Sequence, residues 1–404
     1  MRVLLVTGEY PPMQGGVGDY TRELGLTLVR LGVDVHVLTS KAAALEHLRP
    51  PRGTPEPTVH ARIGHWGWRI WRTLQEIAHE LEPDIIHIQY QAAAYGMHPA
   101  INLVPTRLLQ SQTRPRLVIT FHDLRVPYLF PKAGLLRRWV LLRTARAADL
   151  VITTNMADYG ELQAAGGVKA LDLIPIGSNI QAQPPADYDR AAWRARLGIG
   201  PEDVLLSYFG FLSATKGGET LILTLAELVR RGVSAYLLMV GGQVGASDST
   251  NAAYLEKVKQ LIERLGLTER VRWTGYVSEA EVSAYLLASD VCVLPYRDGA
   301  SFRRGSLMAA LAHALPIVTT AEVETYVPPT ALKIPRLVHK ENAWLAPPDD
   351  PSALATAVQT LMADPALRQR LSAGAARLAE AFQWSDIAAR HVEAYSRLGA
   401  DQAG

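Results

Sequence analysis

The sequence predicts an α/β protein built from two successive doubly wound parallel-sheet domains. Three observations carry this. Short apolar runs alternate with stretches of helical spacing along the chain, the pattern of βα units whose strands are covered on both faces. One stretch, residues 181–192, has no long apolar run and carries Pro184 and Pro185; the alternation stops there and then restarts. Finally, 404 residues, 48% of them hydrophobic, exceed one ordinary core and suit two domains of roughly 150–200 residues.

In the first half, strands fit residues 3–7, 33–38, 85–88, 117–121, 150–153 and 171–174, with a helix over 17–31. In the second half, strands fit 204–209, 235–240, 271–274, 291–294 and 317–320. Helices fit 219–231, 253–265, 279–288 and 307–314, and the tail from 351 to about 397 is helical with a break at Pro365. The expected domains are 1–182 and 190–383. Ligands of such sheets sit outside the carboxyl ends of the strands, so two facing halves would hold a ligand in the cleft between them. No short fixed repeat is visible, which argues against solenoids and propellers.

Composition narrows the function. Charged residues make up 20% of the chain, so it is not a disordered one. A formal net charge of +2 gives no global attraction to nucleic acid, and none is expected as a partner. The one cysteine, Cys292, lies in an apolar run and reads as a buried thiol. The chain therefore has no internal disulfide, which fits a cytoplasmic location. No apolar run reaches the ~18 residues of a membrane span, and residues 1–6 read as a first buried strand rather than a signal peptide.

Four motifs fall where a strand hands over to a helix. In the first, Gly15, Gly16 and Gly18 open a helix that continues through Asp19 and Tyr20, where backbone N–H groups can approach a phosphate or sugar. A tight turn without a ligand is the alternative. The second is His122-Asp123, at the carboxyl end of a strand, where an active site or merely a helix cap would lie. The third, Gly210-Phe211 through Lys216-Gly217, places a lysine beside glycines, as a point charge for a diphosphate or as a solvated turn. The fourth, residues 298–307, sets Ser301, Phe302, Arg303, Arg304 and Gly305 before an alanine-rich helix: an anion cradle or an exposed loop.

Taken together, these motifs resemble the retaining nucleotide-sugar glycosyltransferases of family 4, with the GT-B fold of two facing Rossmann-like domains and an interdomain cleft. Pro11-Pro12 with Gly15-Gly16 resembles that family's N-terminal glycine loop. Residues 83–87 (PDIIH), 148–152 and 174–177 resemble further landmarks, as do 210–217 (phosphate loop), Gly275-Tyr276-Val277 (base-binding turn) and 310–318. Phe382-Gln383-Trp384 resembles the start of a last helix, about 384–404, that returns to the first domain. The resemblance implies a nucleotide diphosphate sugar as donor and no required cofactor or metal. Lys216 and the residues around 302–305 would hold the diphosphate, His122 would position the sugar, and a hydroxyl acceptor would enter near Gly15, Gly16, Asp19, Tyr20 and Asp123.

Three departures stand out. Phe211 occupies the place of the family's phosphate-loop arginine; Ser301 and Ala309 occupy the places of two glutamates; Ala314 replaces a glycine. Arg303 and Arg304 are read as the substitute cations. An inactive sugar- or nucleotide-binding relative, or a nucleotide-sugar epimerase of the same fold, are the competing functions. The segment 101–146 carries nine basic residues (Arg107, Arg114, Arg116, Arg125, Lys132, Arg137, Arg138, Arg143 and Arg146) against one acid, Asp123. It reads either as a solvated face or as a peripheral contact with an anionic membrane at its inner face. Trp66, Trp68 and Trp71 read as core and interdomain packing rather than a sugar platform.

Overall fold

The computed structural model describes residues 1–13, 15–43, 55–108, 115–124, 134–242, 249–321 and 335–400. Its two compact units are Met1–Gly177 with Trp384–Gly404, and Ser178–Glu324 with Leu332–Gln383.

Among the described residues, the first unit contains β1 (Arg2–Thr7), α1 (Gly16–Arg30), β2 (Asp34–Ser40), β3 (Thr58–Ile63), α2 (Ile70–Leu81), β4 (Ile85–Tyr90), α3 (Ala100–Leu108), β5 (Arg116–Phe121), α4 (Gly134–Ala147), β6 (Leu150–Thr153), α5 (Met156–Ala165) and β7 (Leu171–Leu173). Its strands run parallel in the order β3-β2-β1-β4-β5-β6-β7. Alternate residues of β1 feed opposite faces. Leu4 and Val6 pack with Ile70, Leu74 and Ile77 of α2, and Val3 and Leu5 with Leu24 and Leu28 of α1. On the α1 side the core also takes Trp384, Ile387 and Tyr395 from the C-terminal helix, so that helix belongs to this unit although it ends the chain. Gly177 is small for this reason: a β-carbon there would come within 2.7 Å of the Trp384 ring.

The second unit contains α6 (Arg190–Arg196), β8 (Val204–Phe209), α7 (Gly218–Arg230), β9 (Ala235–Val240), α8 (Ser249–Arg264), β10 (Val271–Trp273), α9 (Glu279–Ala288), β11 (Val291–Leu294), α10 (Gly305–Ala312), β12 (Ile317–Thr320), β13 (Trp344–Ala346), α11 (Pro351–Ala363) and α12 (Pro365–Ala379); α13 is the C-terminal helix, Trp384–Ala400. Its parallel sheet runs β10-β9-β8-β11-β12-β13. The break at Pro365 has a local cause. Asp364 ends α11 and caps α12, accepting the Leu367 N–H, with the proline at the first helical position.

Strand order reverses between β1 and β4 in one sheet and between β8 and β11 in the other. These are topological switch points, where the loops leaving the strands splay apart and expose backbone groups to a ligand.

Three expectations need correction. Helix α6 begins at Arg190, inside the stretch read as linker, where Asp189 caps it through the Ala192 N–H. Strands β3 and β13 were not anticipated. Both lie at a sheet edge: β3 is largely half-buried or exposed and mixes polar with apolar residues, and β13 is apolar but only three residues long. Helix α10 ends at Ala312, two residues early, and Ala314 takes φ 50°, the left-handed region.

Candidate active site

In the second unit, two loops leave the switch point. One follows β8 and carries Gly210 to Gly217; the other follows β11 and leads into α10. Backbone ties hold them together: the Arg297 N–H donates to the Thr215 carbonyl at 2.9 Å. Gly217 has φ 74°, and a β-carbon there would lie 1.9 Å from the Pro295 carbonyl oxygen. This turn therefore admits only glycine, and it swings Lys216 toward α10. The position of a β-carbon on Gly210 falls 3.7 Å from Lys216 Nζ and 3.8 Å from Ser306 Cβ in the first turn of α10.

Burial and the neighbouring Arg304 guanidinium push the Lys216 ammonium down to about 8. Among the described residues no carboxylate pairs with it. Arg304 is placed differently. One of its terminal nitrogens donates to both oxygens of Asp298, at 2.6 and 2.7 Å, and its guanidinium stacks 5.1 Å above the Tyr296 ring. Tyr296 is fixed in turn by a 2.7 Å hydrogen bond to Ser306. Arg303 reaches the same Asp298 at 3.4 Å. The two arginines are therefore not free cations: Asp298 offsets one of their charges. The Arg304 Nε is buried and has no partner among the described residues.

The rest of the loop is packing. Phe302 packs on Phe382 with ring centroids 4.8 Å apart, the Ser301 carbonyl accepts the Arg304 N–H at 3.0 Å, and Gly305 opens α10. Phe211 lies against Gly242, filling with an apolar ring the place read as a lost arginine. Ala309 is fully buried and presents nothing to a ligand. After β10, Gly275 bridges Gly241, while Tyr276 stands 76% exposed beside half-buried Val277.

In the first unit the glycine loop follows β1, also at a switch point. Two amides at the start of its helix are already occupied. Glu9 accepts the N–H groups of Val17 and Gly18 with one carboxylate oxygen, at 3.0 and 3.3 Å. A carboxylate of the chain itself thus sits where the sequence suggested a phosphate, and Gly15 makes room for it. Gly16 and half-buried Asp19 form the adjoining turn. Tyr20 is a correction. It is 2% exposed, wedged between His122 and Trp384, with its hydroxyl 3.4 Å from His391, so it packs the helices and has no surface for an acceptor.

His122 follows β5, with Asp123 half-buried beside it. Its Nε2 lies 3.0 Å from the Gln89 side-chain oxygen on β4. Burial, reinforced by His391, pushes the imidazole down to about 3, so it is neutral at physiological pH. Glu9 and Gln89 were not identified from sequence. A lone acid in a loop and an amide on an apolar strand carry no signal of their own.

The tryptophan cluster divides. Trp66 and Trp71 are packed, their indole N–H groups donating to the Gly8 and Ala100 carbonyls, whereas Trp68 is 53% exposed. Cys292 is buried, free and pushed up to about 12. Of the basic segment, Arg114, Arg125 and Lys132 lie outside the described residues, as does the Arg107 side chain. Among the described residues no group of three or more His, Cys, Asp or Glu is placed to hold a metal, and no helix is long and apolar enough to cross a membrane.

Two parallel sheets, each with its polar loops at a switch point, define the GT-B class. Comparison with known proteins narrows the class. Residues 203–364 match the family model described as glycosyl transferases group 1, and residues 14–181 match that described as glycosyltransferase family 4. The GDP-mannose-dependent alpha-(1-6)-phosphatidylinositol monomannoside mannosyltransferase of Mycobacterium tuberculosis is 30% identical over 317 residues, 73% of each chain. The D-inositol 3-phosphate glycosyltransferase of Kineococcus radiotolerans is 29% identical over 267 residues, 65% of this chain and 60% of that one. The chain spans about 53–60% of the first curated relatives it matches. Sucrose-phosphate synthase from Thermosynechococcus elongatus shares the fold, with TM-score 0.75 at 24% identity over 99% of this chain and 100% of that one. This chain belongs to glycosyltransferase family 4.

Proposed function

We propose that the protein transfers a hexosyl group from a nucleoside diphosphate sugar to a hydroxyl acceptor with retention of anomeric configuration. The observation that carries this is the meeting of Lys216 and Arg304 at the switch point of the second sheet, with the Lys216 charge matched by no carboxylate among the described residues. Like charges brought together at a cost in desolvation suit an anion of at least two charges.

On this reading the second unit is the donor side. Lys216, Arg304 and the amides at the start of α10 meet the charge that grows on the departing diphosphate, so their effect is larger in the transition state than in the ground state. Gly210, Gly217 and Ser301 line that side, and the Gly275 turn with Tyr276 and Val277 takes the base. The first unit is the acceptor side, with Asp123, Gly16 and Asp19 about the acceptor and His122 facing the reacting sugar. The bond from the anomeric carbon to the phosphate oxygen breaks, the acceptor oxygen bonds to the same face of that carbon, and the leaving phosphate oxygen takes the acceptor's proton. No step is assigned to a metal.

GDP-mannose is the first donor to test, because a relative is named as dependent on it. A thermal-shift screen against UDP, GDP, ADP and TDP sugars, followed by assay of slow donor hydrolysis, tests the reading. Stabilisation by one nucleotide class with release of free sugar supports it. Epimerised sugar without free nucleotide would replace it with the epimerase function, and no stabilisation by any nucleotide with the inactive relative.

A second reading concerns the acceptor. On α4, Leu136 is 62% and Trp139 56% exposed, beside Arg137, Arg138 and Arg143. Exposed apolar side chains among arginines suit an anionic lipid surface, and hence a lipid-borne acceptor presented at the membrane.

A further inference from the structure

We propose that Gln89 is a positioning residue that holds His122 as a neutral imidazole with its proton on Nε2, leaving Nδ1 as the lone-pair acceptor for a substrate hydroxyl. The inference rests on the reading that His122 faces the reacting sugar. It goes beyond that reading by assigning a role to a residue that touches no substrate.

Gln89 is buried on β4, between two histidines. Its side-chain oxygen lies 3.0 Å from His122 Nε2, and its side-chain nitrogen 3.2 Å from His87 Nε2. An amide oxygen only accepts and an amide nitrogen only donates. His122 must therefore carry its proton on Nε2, and His87 must lack one there. His87 Nε2 is also 2.7 Å from the Thr120 hydroxyl, which can donate to it, and His87 Nδ1, bearing the ring's proton, lies 2.6 Å from the Tyr395 hydroxyl on α13. One amide thus sets both rings, and reversing it would reverse both tautomers together.

Burial and the neighbouring rings disfavour a buried imidazolium here. His87, His391 and Tyr20 surround the site, His87 and His391 are both pushed below the ordinary histidine value by burial, and none of these neighbours supplies a negative charge. A neutral ring with a fixed tautomer has a defined acceptor nitrogen, and a ring free to exchange tautomers offers it only part of the time.

The test uses the full chain labelled with 15N-histidine and long-range 1H–15N spectra, which separate the two neutral tautomers and the cation. In the unmodified protein, His122 is expected as the neutral Nε2–H form from about pH 5 to about pH 9. Gln89→Leu should give a mixture of tautomers and lower kcat for donor hydrolysis ~10-fold with little change in KM. Gln89→Glu restores an acceptor, so it should retain the Nε2–H form while raising the His122 pKa. A His122 proton on Nδ1 in the unmodified protein, or an unaltered tautomer in Gln89→Leu, would overturn the proposal. The first of these needs no variant to fold. Loss of nucleotide binding in the thermal-shift screen would instead sink the transferase reading while leaving the tautomer result standing.

Discussion

Glu9 turns its carboxylate onto the amino end of α1, accepting the Val17 N–H at 3.0 Å. Burial raises the Glu9 pKa above 4.5, against the lowering effect of the two backbone N–H groups. The sign follows from linkage. The folded state holds this proton more tightly than the unfolded state does, so stability falls as pH rises from the unfolded glutamate pKa through the folded one, and then levels. Glu9→Gln keeps an acceptor oxygen and removes the charge. It should abolish that descent and leave the protein at least as stable at neutral pH. Glu9→Ala strands two amides and should cost about 1–2 kcal/mol. Thermal unfolding at several pH values checks both.

Lys216 gives the donor site a pH signature. With the free-site pKa near 8, nucleoside diphosphate affinity should decline above about pH 8, approaching tenfold per pH unit. Lys216→Met should remove that dependence and weaken binding ~10–100-fold, the loss of one charged hydrogen bond. Stability should move the other way. The folded pKa lies below 10.5, so the native state binds fewer protons between about 8 and 10.5, and stability rises with pH across that window. Titration calorimetry with GDP and UDP from pH 7 to about 10, beside thermal unfolding of the variant, tests the pair of effects.

Arg304 should act on Lys216 as well as on the ligand. Arg304→Ala removes a repelling guanidinium, so the Lys216 pKa should climb toward 10.5 and the alkaline fall in affinity should move up with it. At pH 7 diphosphate affinity should still drop, by ~10-fold. Arg303→Ala should do less, since Arg303 reaches Asp298 only at 3.4 Å. Equal affinity in Arg304→Ala and the unmodified protein would remove Arg304 from the donor site.

Much of the fold was legible because buried parallel strands write themselves as continuous apolar runs: β6, β8, β9, β11 and β12 have the limits that pattern suggested. Edge strand β3 mixes polar and apolar residues, and edge strand β13 is an apolar run of only three residues, too short to stand out. Motif placement was legible for the same reason, since strand ends mark the switch points. Pairing was not. Asp298 begins the 298–307 loop, yet nothing in its spacing told that it would hold both arginines. Tyr20 is on the helix the glycine loop opens, but its ring points into the packing around α13, a contact separated by more than 360 residues of chain.

The exposed pair on α4 makes a prediction about surfaces. The protein should sediment with vesicles containing anionic lipid at low salt, and less so as ionic strength shortens the reach of its arginines. Leu136→Ser with Trp139→Ser should weaken this several-fold and leave soluble-nucleotide binding intact. No sedimentation with anionic vesicles at low salt would dismiss a membrane contact through this helix.

Ala314 is strained in a way that engineering can relieve. It sits just past α10 at φ 50°, where its β-carbon crowds the backbone, a conformation that costs a non-glycine residue about 1–2 kcal/mol. Its carbonyl accepts the Ser372 hydroxyl, and the following Leu315 N–H bonds back to Ala310, so the turn is held from both sides and the strain persists. Ala314→Gly removes the crowding but gives the unfolded chain more freedom, which takes back about 0.4–1 kcal/mol. The balance favours the variant by up to about 1.5 kcal/mol, each kcal/mol raising the melting temperature by roughly 2–4 °C for a domain of this size. A melting temperature equal to or below that of the unmodified protein would show that the turn already relieves the strain by other means.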